Sequence, residues 1–164
     1  MQQELNTLVK EILIDHKDLV FIAIKQRAKF EGWLKFELSR KLSKYYSDLK
    51  VEPPYPNDKN QHADIFANNA FIELKTPNTN YRFDNCNSCT RPITKNITSI
   101  IVDINKLKTI EKSNKYIAFV LFPVDEEKRY LEHIKRIEDE GGVELVMQTI
   151  KINNVPLLVC SAKV

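Results

Sequence analysis

Apolar side chains recur at helical spacing in four parts of the chain, a pattern typical of helices that bury one side. The predicted helices cover residues 2–14, 29–46 and 95–111, and a fourth segment that begins at Asp125 and ends at Gly141-Gly142. Asp125 is the expected N-cap, because its short carboxylate can accept from the free amide groups of a first turn. The residues of this last helix expected to face inward are Tyr130, Leu131, Ile134 and Ile137.

Strand patterns occupy much of the remaining chain. Residues 49–52 predict a short strand followed by a proline-broken loop. The run "YIAFVLFPV" is apolar without alternation, which is typical of a strand covered on both faces. The segments "VELVMQTIKI" and "VPLLVCSAKV" predict a terminal hairpin that turns at Asn153-Asn154.

Residues 62–75, "HADIFANNAFIELK", predict a second hairpin. Apolar residues alternate on both sides of Asn68-Asn69, and asparagine tolerates the positive φ that a type I′ turn requires. With this turn, Asp64 lies opposite Glu73 on the partner strand. Lys75 then lies on the same face as both acids, because strand side chains alternate between faces.

The order of elements is helix, three strands, helix, strand, helix and strands, which predicts an α/β fold with a mixed sheet flanked by helices. A length of 164 residues is typical of a single domain. We expect no separate recognition module of any size.

Composition narrows the class of protein less than the charge pattern does. The chain is 43% hydrophobic with a net charge of +3 and a pI near 8.7, values compatible with a polyanionic partner that do not require one. Three cysteines, an odd number, argue against a disulfide framework. The charged N-terminal segment lacks the apolar core of a signal peptide, so we expect a cytoplasmic protein with no membrane span.

The hairpin places two carboxylates side by side on a strand that is otherwise apolar. Asp64 and Glu73 would repel each other there, and burial would raise the cost of ionising both. Lys75 can neutralise only one of them, whereas a hard divalent cation satisfies both, and Mg²⁺ suits a site with few protein ligands. A structural ion cluster without metal is the alternative interpretation. The same acid-x-Lys spacing occurs at Asp15, Asp48 and Glu126, but in polar surroundings.

Asp64, eight intervening residues and then Glu73-Leu74-Lys75, on two strands that follow a leading helix, resemble the PD-(D/E)xK nuclease superfamily. The resemblance covers about residues 29–122 and implies a restriction-endonuclease-like αβββαβ core. Residues 2–14 and 125–164 would be additions to this core. Ala63 stands where the family's title pattern has proline.

The resemblance implies a metal-dependent endonuclease that hydrolyses phosphodiester bonds of DNA, of a restriction, repair or junction-resolving type. Asp64, Glu73 and the backbone carbonyl of Leu74 would hold Mg²⁺, with Mn²⁺ as a substitute. Lys75 would orient or help to deprotonate the attacking water. Because cutting both strands generally requires two such sites, a symmetric homodimer is the natural assembly.

The leading helix of such nucleases often carries a further metal-associated glutamate. The predicted apolar stripe of this helix comprises Phe30, Leu34, Leu38, Leu42 and Tyr45. Glu31 lies nearer to the centre of that stripe than Glu37 does, so Glu31 is the preferred candidate and Glu37 the second.

The polar segment 77–95 mixes cations with aromatic residues, a combination that serves both phosphate binding and base stacking. Its candidate nucleic-acid ligands are Tyr81, Arg82, Phe83, Arg91 and Lys95. His62, opposite Lys75, is another candidate for phosphate contact.

Two other functions are compatible with the sequence. A protein with the nuclease fold can bind nucleic acid or a partner without cutting, although binding alone does not require the acid pair with Lys75. An interaction protein is the second: Cys86 and Cys89 form a C-x2-C pair that would bind zinc with two further ligands from His62, Cys160 or a second subunit.

Overall fold

The computed structural model describes residues 1–84, 86–88, 92–111, 113–125 and 127–164. Two predicted ligands, Cys89 and Arg91, lie outside these ranges. The helices are α1 (Gln2–Asp15), α2 (Lys17–Gln26), α3 (Glu31–Leu42), α4 (Ile93–Lys108) and α5 (Tyr130–Gly141). The strands are β1 (Lys50–Val51), β2 (Pro54–Tyr55), β3 (Asp58–His62), β4 (Ile65–Ala67), β5 (Ala70–Lys75), β6 (Asn114–Leu121), β7 (Val146–Ile152) and β8 (Val155–Lys163).

Six strands form one mixed sheet in the order β1-β4-β5-β6-β8-β7. The pair β5 and β6 is parallel, and the other neighbours are antiparallel. Helix α4 connects the two parallel strands, as a crossover of this kind requires. The predicted α/β class with a mixed sheet flanked by helices is therefore confirmed.

Each face of the sheet is covered by its own apolar core. Ile72 and Leu74 of β5 face a cluster that includes buried residues of α1, α2 and α3. Phe71 of β5, with Ile117 and Phe119 of β6, faces a second cluster formed with α4 and α5. Glu73 lies between Ile72 and Leu74 in the chain, so its side chain points to the α4 side.

The hairpin of β4 and β5 has the predicted register over its three pairs, but the predicted first strand is interrupted at residues 63–64, and the chain before that point belongs to β3. Asn68 and Asn69 both have φ near 53°, as a type I′ turn requires, and Ala67 pairs with Ala70. Asp48 stabilises the turn, since its carboxylate oxygens accept from the Asn68 and Asn69 amides at 2.9 and 2.8 Å. The terminal hairpin turns at Asn153-Asn154, also as predicted.

The prediction of one helix over 29–46 was wrong at both ends. The chain leaves α2 through Arg27, which takes a left-handed conformation with φ 55°, and α3 runs only from Glu31 to Leu42. Arginine carries no sequence signal for such a conformation, unlike glycine. Tyr45, placed in the apolar stripe by the prediction, lies beyond the helix and is 68% exposed.

The predicted start of the last helix was also wrong. Helix α5 begins at Tyr130, after Arg129, and Asp125 makes no side-chain cap. Its carboxylate instead forms an ion pair with Arg129, at 2.5 Å from Nε. Leu131, expected to face inward, is 43% exposed. The end of the helix at Gly141, followed by left-handed Gly142, agrees with the prediction.

The proline-broken stretch after residue 52 is not a loop alone. Strands β2 and β3 form a two-stranded ribbon, in which Pro54 pairs with His62 and Tyr55 pairs with Asp58. This ribbon brings the buried side chain of Tyr55 over the α4 side of the main sheet, where it packs against Phe71. Among the described residues, no helix is long and apolar enough to cross a membrane.

Candidate active site

Strand β5 presents Glu73 and Lys75 on its α4 side. Glu73 is 6% exposed, and it pairs in register with Ile117 of the central strand β6. Lys75 is the last residue of β5, and its side chain keeps 19% of its surface exposed. The strand therefore holds one carboxylate in the interior and one amine at the border with solvent.

Asp64 lies immediately before β4 and is held against β5. Its Oδ2 accepts a hydrogen bond from the Leu74 amide at 2.8 Å, across the hairpin. Lys35 of α3 approaches the other oxygen, with Nζ 3.7 Å from Oδ1. The carboxylate of Asp64 thus lies beside Glu73, close enough that its charge contributes to raising the pKa of Glu73.

The amine of Lys75 is held by acids from two helices on opposite sides of the sheet. Nζ lies 2.9 Å from Oδ2 of Asp103 on α4 and 3.4 Å from Oε1 of Glu31 on α3. Glu31 also accepts from the Thr76 amide at 3.3 Å, which fixes the start of α3 to the end of β5. Of the two helix glutamates considered, Glu31 is the one beside Lys75. Glu37 instead pairs with Arg40, with Nη2 2.7 Å from Oε2.

Glu73 is the most strongly perturbed acid of the cluster. Burial raises the pKa of Glu73 to about 8, and the negative charges of Asp64 and Asp103 act in the same direction. The hydroxyl of Tyr55 donates a short hydrogen bond to Oε1, which opposes this shift without cancelling it. A bound cation would favour the ionised form of Glu73.

Lys75 is perturbed in the opposite sense. Burial alone would lower the pKa of the amine, but its hydrogen bond to Asp103 and the charges of Glu31, Asp103 and Glu73 outweigh burial and raise the pKa. Lys75 is therefore held in its charged form at neutral pH. In this arrangement the amine is a cation held in place by the acids around it.

The cluster is open to solvent through a pocket of about 250 Å³. The pocket is lined by residues from the ribbon, the hairpin and α4, namely Tyr55, Gln61, His62, Asp64, Glu73, Lys75, Asp103 and Lys106. The charged groups are thus accessible from solvent, and a small ligand can reach them. His62 does not lie opposite Lys75 as predicted: it is the last residue of β3, where it pairs with Pro54, and its exposed side chain lies at the mouth of this pocket.

The donor set has the chemistry of a hard-cation site, although its side chains are engaged with each other. Within the described ranges, no three His, Cys, Asp or Glu side chains are grouped so that they could hold a metal ion as they stand. Asp64 and Glu73 nevertheless supply adjacent carboxylate oxygens at a pocket large enough for water. This combination fits Mg²⁺, which keeps several waters and uses one or two carboxylates.

The predicted nucleic-acid ligands lie in different surroundings. Arg82 and Lys95 are exposed, as binding requires. Tyr81 is only 9% exposed, and the Arg129 guanidinium covers its ring with Cζ 4.9 Å from the ring centre. Tyr81 therefore leaves little ring surface for a stacked base. Phe83 is partly buried against the core on the α1 side of the sheet.

The zinc alternative loses one of its possible ligands. Cys86 packs against the core on the α1 side of the sheet, whereas Cys160 of β8 is fully buried in the core on the α4 side. The sheet separates these two sulfur atoms, so Cys160 does not complete a site with Cys86. Cys89 lies outside the described residues.

Sequence reasoning missed three residues of the cluster: Lys35, Tyr55 and Asp103. Asp103 lies on the polar stripe of α4 formed by Asn96, Ser99, Asp103 and Lys106 at helical spacing, and this stripe is the signal that was available. Tyr55 had no comparable signal, since it lies among prolines in a segment without periodicity. Lys35 contacts Asp64 from α3, and no periodicity or motif in the sequence indicated that tertiary contact.

Comparison of the chain with protein-family models, with curated proteins and with solved structures gives no match. The function must therefore be inferred from the fold and the geometry of the cluster.

Proposed function

We propose that the protein is a Mg²⁺-dependent nuclease of the PD-(D/E)xK type that hydrolyses phosphodiester bonds of DNA. The observation that carries the proposal is that Asp64, Glu73 and Lys75 line one open pocket. The motif of that superfamily is an acid from one strand, a Glu or Asp on the neighbouring strand, and a Lys two residues after this second acid.

The arrangement of elements supports the restriction-endonuclease-like core that the resemblance implies. Helix α3 precedes three strands of the main sheet, β1, β4 and β5, and α4 leads to the parallel strand β6. This is the expected αβββαβ order. The β2–β3 ribbon, α1 and α2, and the segment from α5 onward are additions to that core.

Asp64, Glu73 and the Leu74 backbone carbonyl would hold the ion, with Glu31 near enough to Lys75 to bind a water of a second one. Bound there, Mg²⁺ would polarise the scissile phosphate and lower the pKa of a water that becomes the nucleophile. Tyr55 would have to yield part of its hold on Glu73, because its hydroxyl occupies Oε1.

Lys75 would orient the attacking water and offset the charge that develops on the phosphate. Asp103 and Glu31 hold its amine from two sides. A charged lysine suits both tasks, and its raised pKa makes general-base catalysis by this residue the weaker alternative.

The test is cleavage of supercoiled plasmid and of branched DNA in Mg²⁺ or Mn²⁺. We expect the wild type to nick the plasmid. The cleavage rate should fall by about 100-fold or more in Asp64→Asn, Glu73→Gln and Lys75→Met, which is the usual effect of removing a catalytic group. Matched controls are Asp139→Asn and Lys135→Met, which remove exposed charges of α5 and should retain activity. Equal cleavage by the three site variants and the wild type would contradict the proposal.

A nuclease-fold protein that binds without cutting is the alternative. Its support is that the charged groups already have partners: Lys75 pairs with Glu31 and Asp103, and Glu73 accepts a hydrogen bond from Tyr55. Gel-shift affinity for DNA that is unchanged by Mg²⁺, with no cleavage of any substrate, would favour it.

A further inference from the structure

A second cavity lies beside the proposed active site and differs from it in charge. This groove, of about 550 Å³, is lined by Lys29, Asn78, Pro92, Lys95, Asn96 and Ser99. The described residues that line it carry two ammonium groups, two amides and a hydroxyl, and none of these residues has a carboxylate. The ammonium groups and the hydroxyl suit the phosphate oxygens of a polyanion, while the amide groups of Asn78 and Asn96 donate to the Arg27 and Asn78 carbonyls and shape the groove.

The groove is built by the three segments that hold Lys75. Lys29 is two residues before Glu31, Asn78 is three residues after Lys75, and Ser99 is one helical turn before Asp103. These segments are fastened together: the Phe30 amide donates to Thr76 Oγ1 at 3.0 Å, and Asn96 Nδ2 donates to the Asn78 carbonyl at 2.9 Å. The position of the groove relative to the site is therefore fixed by the fold.

The polar stripe of α4 connects the two cavities. Asn96 and Ser99 line the groove, while Asp103 and Lys106 line the pocket, and all four lie on one side of the helix. From Lys95 to Asp103 the helix rises by about 12 Å. A single extended strand that follows this side of α4 would pass from one cavity to the other.

The two lysines are available for a ligand. Both are exposed, and neither ammonium forms an ion pair with a described carboxylate. By contrast, Lys35, Lys41 and Lys75 are all paired with acids. Because neither lysine is paired with a described acid and no described lining residue is acidic, the groove carries a local positive charge next to a site rich in carboxylates.

We propose that this groove binds the phosphodiester backbone of one nucleic-acid strand, flanking the bond that is cut, with Lys29 and Lys95 as its phosphate ligands. The inference rests on the proposed function and adds the path of the substrate. It predicts that binding, rather than the chemical step, depends on these two residues.

The experiment measures binding by fluorescence anisotropy with a labelled oligonucleotide, single-stranded in one arm and duplex in the other, with Ca²⁺ in place of Mg²⁺ to prevent cleavage. The test variant is Lys29→Gln/Lys95→Gln. The matched control, Lys151→Gln/Lys163→Gln, removes the same charge from exposed positions of β7 and β8. Thermal melting verifies that both variants fold.

We expect the test variant to lose on the order of ten-fold in affinity for each lysine near physiological salt, while the control stays near wild type. The slope of log K against log salt should become less steep by about 1.8 for duplex or about 1.4 for single-stranded substrate. In Mg²⁺, the KM of the test variant should rise while its kcat stays within about two-fold of the wild-type value. Lys29→Arg/Lys95→Arg, which keeps the positive charges, should restore binding.

The outcomes separate the two proposals. If the wild type cuts DNA and the test variant keeps the wild-type affinity and salt slope, the groove is not a binding site and the nuclease proposal stands. A fall in kcat alone, with KM unchanged, would also overturn the groove as a binding site. A wild type that neither binds nor cuts nucleic acid would overturn both.

Discussion

The amine of Lys75 lies 2.9 Å from the carboxylate of Asp103, and the two residues come from elements that are far apart in the chain. Asp103 is 7% exposed on α4, where it also pairs with Lys106 at 3.4 Å. Through Asp103 the helix fixes the end of β5. The pair therefore links the position of the charged amine to the packing of α4 on the sheet.

Asp103→Asn should destabilise the fold, because it removes the nearest negative partner of a largely buried amine. We expect a loss of on the order of 1–3 kcal/mol in the free energy of unfolding, the usual range for hydrogen bonds to charged groups. Urea denaturation at neutral pH measures it. Lys106→Met, which removes the other ion pair of Asp103 but at a half-exposed side chain, should cost less than about 1 kcal/mol. Equal losses in the two variants would contradict this ranking.

The Asp64–Glu73 neighbourhood could be predicted from sequence because a local signal set it. The turn residues Asn68-Asn69 and the strict alternation around them determine the register, and register determines which side chains share a face. Asp103 and Tyr55 could not be predicted in the same way. Each reaches the cluster through a tertiary contact between distant segments, and neither helical periodicity nor a turn motif indicates such a contact.

The helix boundaries that were predicted wrongly have physical causes that residue type alone does not indicate. The separation of α2 from α3 depends on Arg27 in a left-handed conformation, and the Arg27 side chain donates to the Thr79 carbonyl at 3.0 Å. That contact is with a distant segment, so the sequence of the helix gave no warning. Asp125 looked like an N-cap by residue type, but one oxygen of its carboxylate pairs with Arg129 and the helix begins only at Tyr130.

Tyr55→Phe should reveal how far the tyrosine stabilises the ionised form of Glu73. The phenol is buried and donates to the carboxylate, and its removal leaves that carboxylate without this donor. We expect a loss of on the order of 1–3 kcal/mol in unfolding free energy at a pH above 8 and a smaller loss near pH 5. Tyr45→Phe, at a 68% exposed side chain, is the control and should be neutral. A loss for Tyr55→Phe that does not vary with pH would argue against a role through Glu73.

Stability without divalent ions should fall as the pH rises toward 8. The pKa of Glu73 is raised from 4.5 to about 8 in the folded protein, so between these values the folded state binds a proton that the unfolded chain has lost. More protons bound in the folded state means that the unfolding free energy decreases with pH across this interval, by on the order of a few kcal/mol.

Denaturation in EDTA at several pH values measures that slope. Glu73→Gln, which cannot ionise, should flatten it and be more stable than the wild type at pH 8. Glu111→Gln, an exposed acid before β6, should leave the slope unchanged. A wild-type profile that is flat from pH 5 to 8 would mean that Glu73 is ionised throughout.

Mg²⁺ should stabilise the protein most near pH 8, where the metal-free protein is least stable. The reason is that an ion bound at Asp64 and Glu73 replaces the proton on Glu73. At pH 8, an ion concentration about 100 times the dissociation constant would add about 2.7 kcal/mol of unfolding free energy, and at pH 6 the same concentration would add less. Calorimetric titration in buffers of different ionisation heat should detect a released proton, and the number released should fall as the pH rises above 8.

Asp64→Asn and Glu73→Gln should each abolish the stabilisation by Mg²⁺, whereas the control Asp139→Asn should preserve it. If Mg²⁺ and Mn²⁺ shift the melting temperature of the wild type and the two site variants equally, the ion binds elsewhere, and the acid pair is a structural cluster in which Lys35 holds Asp64 and Tyr55 holds Glu73.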